Sequence, residues 1–235
     1  MTNDNKYFLA LSKNIFGICL VTFIFLLFGC NNNTGSDMLV YPTWSNSGWS
    51  ITFQGDTSSI KEIKYRINGQ GDFISTGSLA GGAVANTFVG IEPVESPKLK
   101  IEMKYISNNG AESSVSTREF DLDQLKINEA KDILTQTNNS WLEDRPFNGK
   151  MLIYFTHLVT NRVAIKEIKY SLDSDALDQS FPLESEGPPY KASGKSSPGM
   201  KIYIEVPTTY SFIALKLYYL DGSSSNVWKL QNKHK

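Results

Sequence analysis

Two stretches of the chain alternate apolar and polar residues at every second place. Leu99, Ile101, Met103 and Tyr105 are separated by Lys100, Glu102 and Lys104, and Met200, Ile202, Ile204 and Val206 by Lys201, Tyr203 and Glu205. A period of two is that of a strand with one face buried and the other in water. Asn68-Gly69, Asn108-Asn109-Gly110 and Asp221-Gly222 supply turn chemistry between such runs. Helical pattern is scarce. Only Asn128 to Leu134, with Asn128 as a cap, predicts a short helix.

The pattern also repeats. Ile60-Lys61-Glu62-Ile63-Lys64-Tyr65 recurs letter for letter as Ile165-Lys166-Glu167-Ile168-Lys169-Tyr170. Upstream, Trp49, Ile51 and Phe53 match Met151, Ile153 and Phe155; downstream, Leu99, Ile101, Met103 and Tyr105 match Ile213, Leu215, Leu217 and Tyr219. Phe120-Asp121-Leu122 then matches Trp228-Lys229-Leu230. Insertions and deletions fall between the matched segments, where loops belong. The chain therefore reads as a tandem duplication, with units at 38–122 and 141–235 and a linker at 123–140. Short alternating strands with frequent turns predict an all-β fold of two tandem β-sandwiches, each with its own core. Ile168, Tyr170 and Leu172 share one face of their strand, so Tyr170 is expected to point inward.

Ile63-Lys64-Tyr65-Arg66-Ile67-Asn68-Gly69, the run 104–110 and Tyr218-Tyr219-Leu220-Asp221-Gly222 resemble segments of fibronectin type III and bacterial immunoglobulin-like domains. The resemblance covers residues 38 to 230 and implies immunoglobulin-like sandwiches, with Tyr65 and Tyr170 as the core aromatics of strand C. Antibody-type domains join strands B and F by a disulfide, for which residues 38 to 230 hold no cysteine. Tyr105 and Tyr219 lie at the far end of strand F, away from that family's tyrosine corner.

The amino terminus follows a different rule. Ile15 to Gly29 carries no charge, and Lys6 and Lys13 precede it. This is short for a membrane-spanning helix and fits an export signal at 1–29. Leu27-Phe28-Gly29-Cys30 resembles the lipobox of bacterial lipoproteins. That resemblance implies a diacylglyceryl group on the Cys30 thiol and cleavage that leaves Cys30 as the acylated terminus. Of the chain's 2 cysteines, Cys19 lies in the removed segment, so Cys30 would remain alone. Two or three acyl chains anchor stably to a membrane where one does not. The Asn-rich stretch 30–37 has nothing to bury and reads as a flexible tether. Asn31 stands where enteric sorting uses aspartate for inner-membrane retention, which favours the outer membrane or cell surface of a bacterial envelope.

With 23 basic and 24 acidic residues, the net charge of −1 rules out nucleic-acid binding through bulk positive charge. The 2 histidines, His157 in a predicted loop and His234 near the C-terminus, give little material for triads or metal centres. Gly187 to Ser196 ends in Gly194-Lys195-Ser196, but its glycines are too far apart for a phosphate loop and no strand-to-helix context surrounds it. It reads as a solvated loop. Asp173-Ser174-Asp175-Ala176-Leu177-Asp178 lacks the glycine of a calcium loop and reads as a hairpin turn. No spacing selects a carboxylate pair for hydrolysis. No catalytic residue, metal or cofactor is therefore assigned. Two classes remain: a non-catalytic binding or adhesion module with a protein or glycan ligand, and a structural spacer of the envelope. A carbohydrate-binding module or glycosidase accessory is a narrower form of the first.

One candidate surface follows from the difference between the units. If Met151, Ile153 and Phe155 face the core, Leu152 and Tyr154 face outward, and if Ile202 and Ile204 point in, Tyr203 points out. Sandwich topology makes these segments neighbouring strands B and E, so Leu152, Tyr154 and Tyr203 should meet where the first unit offers Ser50 and Thr52. An apolar aromatic cluster of this kind suits a protein or glycan contact.

Overall fold

Inward-facing residues of short antiparallel strands build two hydrophobic clusters in the computed structural model, which describes residues 38–45, 48–79, 84–195 and 197–234. The export signal, the tether and Cys30 lie outside the described residues. In chain order the first half forms β1 (Leu39–Ser45), β2 (Gly48–Gln54), β3 (Ile60–Ile67), β4 (Ile74–Ser75), β5 (Ser78–Leu79), β6 (Val84–Ala85), β7 (Phe88–Gly90), β8 (Lys98–Ser107) and β9 (Ser116–Asp121). After helix α1 (Leu122–Gln136) come β10 (Glu143–Phe147), β11 (Lys150–Tyr154), α2 (Thr156–Thr160), β12 (Ile165–Leu172), β13 (Gln179–Phe181), β14 (Tyr203–Pro207), β15 (Phe212–Tyr219) and β16 (Trp228–Gln231).

The fold is mainly β, with antiparallel sheets in two matching halves. The first half has a three-stranded sheet of order β1-β2-β7 and a four-stranded sheet of order β4-β3-β8-β9; the second has β10-β11-β14 and β13-β12-β15-β16. β5 and β6 form a separate ribbon in the first half. The duplicated sequence thus gives duplicated connectivity. Trp49, Ile51, Phe53, Ile63 and Tyr65 are buried in one cluster, and their counterparts Met151, Ile153, Phe155, Ile168 and Tyr170 in the other. Full burial of each large apolar side chain contributes roughly 1.5–3 kcal/mol. In the second cluster Phe155 stacks on Phe181 at 4.0 Å and meets the Tyr170 ring edge-on at 5.8 Å.

Register corrects the alignment of the repeat. Tyr65 pairs with Met103 and Tyr170 with Leu215, so Met103 is equivalent to Leu215 and not to Leu217. Likewise Ile101 faces Arg118 while Ile213 faces Leu230, which makes Trp228 the counterpart of Ser116 instead of Phe120. Both corrections are even-numbered slips. Because side chains alternate with a period of two, such a slip leaves every inward residue inward.

The linker contains more structure than its sequence predicts. α1 starts at Leu122, capped by Asp121, whose carboxylate accepts the Gln124 N–H at 3.2 Å; Asn128 lies inside the helix. Its apolar positions serve both clusters, Leu122 the first and Ala130 and Leu134 the second. Trp141 donates its indole N–H to the Leu134 carbonyl at 2.8 Å and packs in the second cluster. β10 follows, turned into β11 by Asn148-Gly149 with φ of 48° and 73°. Those positive values are what a two-residue hairpin needs.

Most of the stretch Gly187 to Ser196, expected to be a solvated loop, belongs instead to a strap, residues 184–195, across the two halves. Its Tyr190 is the one buried member of the first cluster from outside residues 38–122, among the described residues. The Tyr190 N–H donates to the Asp123 carboxylate at 2.8 Å, its hydroxyl donates to the Glu95 carbonyl at 3.0 Å, and its carbonyl accepts the Trp49 indole N–H at 2.9 Å. Lys191 pairs with Glu95 at 2.8 Å. Arg162, 5% exposed, holds the other side of the strap. Its guanidinium donates to the Val159, Glu184 and Lys195 carbonyls and forms an ion pair with Glu186 at 3.0 Å. All of its nitrogens are engaged, which is what lets a guanidinium sit in a low-dielectric place.

Candidate functional site

β11 lies between β10 and β14, and the register sets Tyr154 directly opposite Tyr203. Their rings are 5.7 Å apart and inclined at 50°. Tyr203 is 39% exposed and Tyr154 half-buried, so the pair forms a surface patch, as its alternation with inward Ile153 and Ile204 requires. Aromatic pairs in this tilted geometry are favourable and still present ring edge and hydroxyl to a partner.

Leu152, expected to join this patch, is 7% exposed. It belongs to the same outward row, yet it sits on the central strand, flanked in register by Arg145 of β10 and Glu205 of β14. Long polar side chains cover apolar neighbours with their stems while their charged ends stay in water. Glu205 is in turn paired with Lys150. Leu152 therefore supports the surface from below.

The first half carries part of the same arrangement. Thr52 pairs with Phe88, which takes the place of Tyr203 and is 55% exposed. The matching B-strand residues are Ser50 and Thr52, as the repeat predicts, and Ser50 is hydrogen-bonded to Thr43 at 2.9 Å. Phe88 was missed because β7 is too short to show alternation. The asymmetry between the halves is thus a tyrosine pair against a lone phenylalanine.

A second feature is concave. A cleft of about 240 Å³ opens between Trp44 at the end of β1, Lys126, Glu129 and Ile133 on α1, Asn161 after α2, and Ser193 on the strap. The Lys126 ammonium lies 4.4 Å from the centre of the Trp44 ring. Burial pushes the Lys126 pKa down, and Glu129 and Glu186 oppose that shift. Burial likewise raises the Glu129 pKa, against the pull of Lys126. No sequence motif marked these residues, which come together through the helix and the strap.

The two short motifs have structural occupations. The Asp173 carboxylate accepts the Ser211 and Phe212 N–H groups at 2.5 and 3.0 Å, and Asp175 pairs with Lys229 at 2.8 Å. In the strap, Glu186 accepts the Ser193 and Gly194 N–H groups at 2.8 and 3.2 Å. His157, placed on α2 and not in a loop, has Nε2 2.6 Å from the Thr137 hydroxyl. That hydroxyl already donates to the Ile133 carbonyl at 2.6 Å, so Nε2 carries the proton and donates. Burial holds the His157 pKa below the ordinary histidine range.

The chain matches no protein-family model and no curated protein.

Proposed function

We propose that the chain is a non-catalytic binding module of a bacterial cell envelope, anchored to the membrane by lipid on Cys30 and displaying the Tyr154–Tyr203 pair to a protein or glycan ligand. The observation that carries this reading is the in-register pair itself, exposed on a sheet whose opposite face is core. The order of strands in each half supports immunoglobulin-like sandwiches, a scaffold that presents such faces. Asn31 after Cys30 supports an outer-membrane or surface location. The spacer reading draws on a different observation, the strap and helix that tie the halves together.

The test is a double change of Tyr154 and Tyr203 to Ser, with Leu152 left in place to keep the strand covered. Whole cells displaying either form are incubated with envelope glycans and with host-surface protein. Retained folding with lost capture supports the binding reading. Equal capture by both forms removes the patch from it and leaves the spacer.

A further inference from the structure

We propose that the cleft between Trp44, α1 and the strap binds a small zwitterion, an α-amino acid or a free dipeptide, with its carboxylate on Lys126 and its ammonium on Glu129. This goes beyond the surface reading above and does not rest on the tyrosine pair.

Most polar groups around the cleft are already satisfied. Glu186 is held by Arg162, Ser193 and Gly194. The Asn161 amide donates to the His157 carbonyl at 3.0 Å, and the Thr160 hydroxyl to the Thr156 carbonyl at 2.9 Å. Lys126 and Glu129 differ from these. Among the described residues neither forms a hydrogen bond or an ion pair, including with each other; Lys126 has the Trp44 face and no carboxylate within ion-pair distance.

Two half-buried charges of opposite sign that attract each other only from beyond ion-pair distance, with no hydrogen bond to either, are a costly arrangement. Their positions explain how a ligand would offset that cost. Three residues apart on a helix, they share one face, and both line the cleft. The indole holds the ammonium by cation–π attraction, and Lys126 keeps its N–H donors for an anion.

The charge pattern selects the ligand class. A simple anion on Lys126 would meet Glu129, and a simple cation on Glu129 would meet Lys126. A neutral sugar would leave both charges uncompensated. A zwitterion answers both at once, and the small volume, below that of a typical drug-sized pocket, favours a compact one. Ile133 and Val163 add apolar wall for a short side chain.

Isothermal titration of the full chain with L-alanine and with L-alanyl-L-alanine tests this. Alaninamide lacks the carboxylate, N-acetylalanine lacks the ammonium, and glucose lacks both. Saturable binding of alanine or the dipeptide is expected, with each single-charge analogue weaker by about tenfold or more. Lys126→Met should abolish discrimination against alaninamide, and Glu129→Gln should abolish discrimination against N-acetylalanine. Absence of saturable heat with both zwitterions at millimolar concentration overturns the proposal, as does preferential binding of glucose. So does discrimination that persists in both variants. The panel on the unaltered chain is decisive even if a variant misfolds.

Discussion

The indole N–H of Trp49 donates to the carbonyl of Tyr190 at 2.9 Å, joining a core strand of the first half to a strap that belongs to the second. Tyr190 is buried and its hydroxyl also reaches the Glu95 carbonyl. Tyr190→Ala should therefore destabilise the first cluster by about 3 kcal/mol, in the range of large aromatic deletions. Tyr190→Phe keeps the ring and loses one hydrogen bond, for about 1 kcal/mol. Denaturant unfolding of both variants measures the difference. Equal losses would mean that the ring contributes nothing beyond its hydroxyl.

Tyr170 occupies its inward place in the second cluster, and Tyr170→Ala should also cost on the order of 3 kcal/mol. Because the second half supplies Tyr190 to the first, the loss should be felt in both. Calorimetry should show both halves shifting to lower temperature in Tyr170→Ala. With Tyr190→Ala added, the first half should become insensitive to Tyr170. A shift confined to the second half in the single variant would show that the strap does not couple them.

Gly194 has a φ of +73°, and a Cβ there would lie 3.0 Å from the Thr160 carbonyl oxygen. Backbone atoms cannot withdraw as a flexible side-chain tip can. Gly194→Ala should cost about 2 kcal/mol and loosen the strap, seen as faster amide exchange at Ser193 and Lys195. Unchanged exchange and stability would show that the strap tolerates a shift at this point.

His157 is held neutral by burial, with its folded pKa below the ordinary 6.5. The unfolded chain thus takes up the proton more readily, so stability rises with pH across this window. The contribution is fully present above 6.5, falls as pH drops through it, and levels off once the folded form is also protonated. In His157→Gln this part of the pH profile should flatten. An identical profile would assign the acid sensitivity to other groups.

Cys30→Ser should leave an uncleaved or soluble species, whereas the unaltered chain should partition into detergent. Phase separation of cell extracts measures both. The same partition together with the same apparent mass for the two forms would refute lipidation at Cys30.

The inward residues were legible from alternation, since Tyr65, Tyr170, Met103 and Leu215 are all buried. Their pairing across the repeat was not. A pattern of period two looks the same after a slip of two residues, and only the hydrogen-bonded ladder distinguishes Leu215 from Leu217 as the partner of Met103 in the duplication. α1 hid because its apolar residues are divided between two clusters, so no single stripe marks it; Asp121 before Leu122 was the available cap signal. Asn148-Gly149 was a direct hairpin signal and pointed to β10. The patch was half visible: alternation placed Tyr154 and Tyr203, but the cover over Leu152 depends on which strands flank it. Nothing local in Pro188-Pro189-Tyr190 tells that the tyrosine is buried far along the chain, and the cleft lined by Glu186 and Ser193 of the same strap was invisible for the same reason.

The strap also has a mechanical meaning. Two halves joined by one covalent segment can swivel about it, and a pull on one reaches the other through that segment alone. Here α1 carries one line of load and the Tyr190 contact a second beside it. Relative rotation must draw a buried ring out of the first cluster and break the Lys191–Glu95 pair. Tension applied at the Met38 end would therefore be shared between backbone and packing, and the chain would extend in a late, abrupt step instead of yielding gradually at its middle.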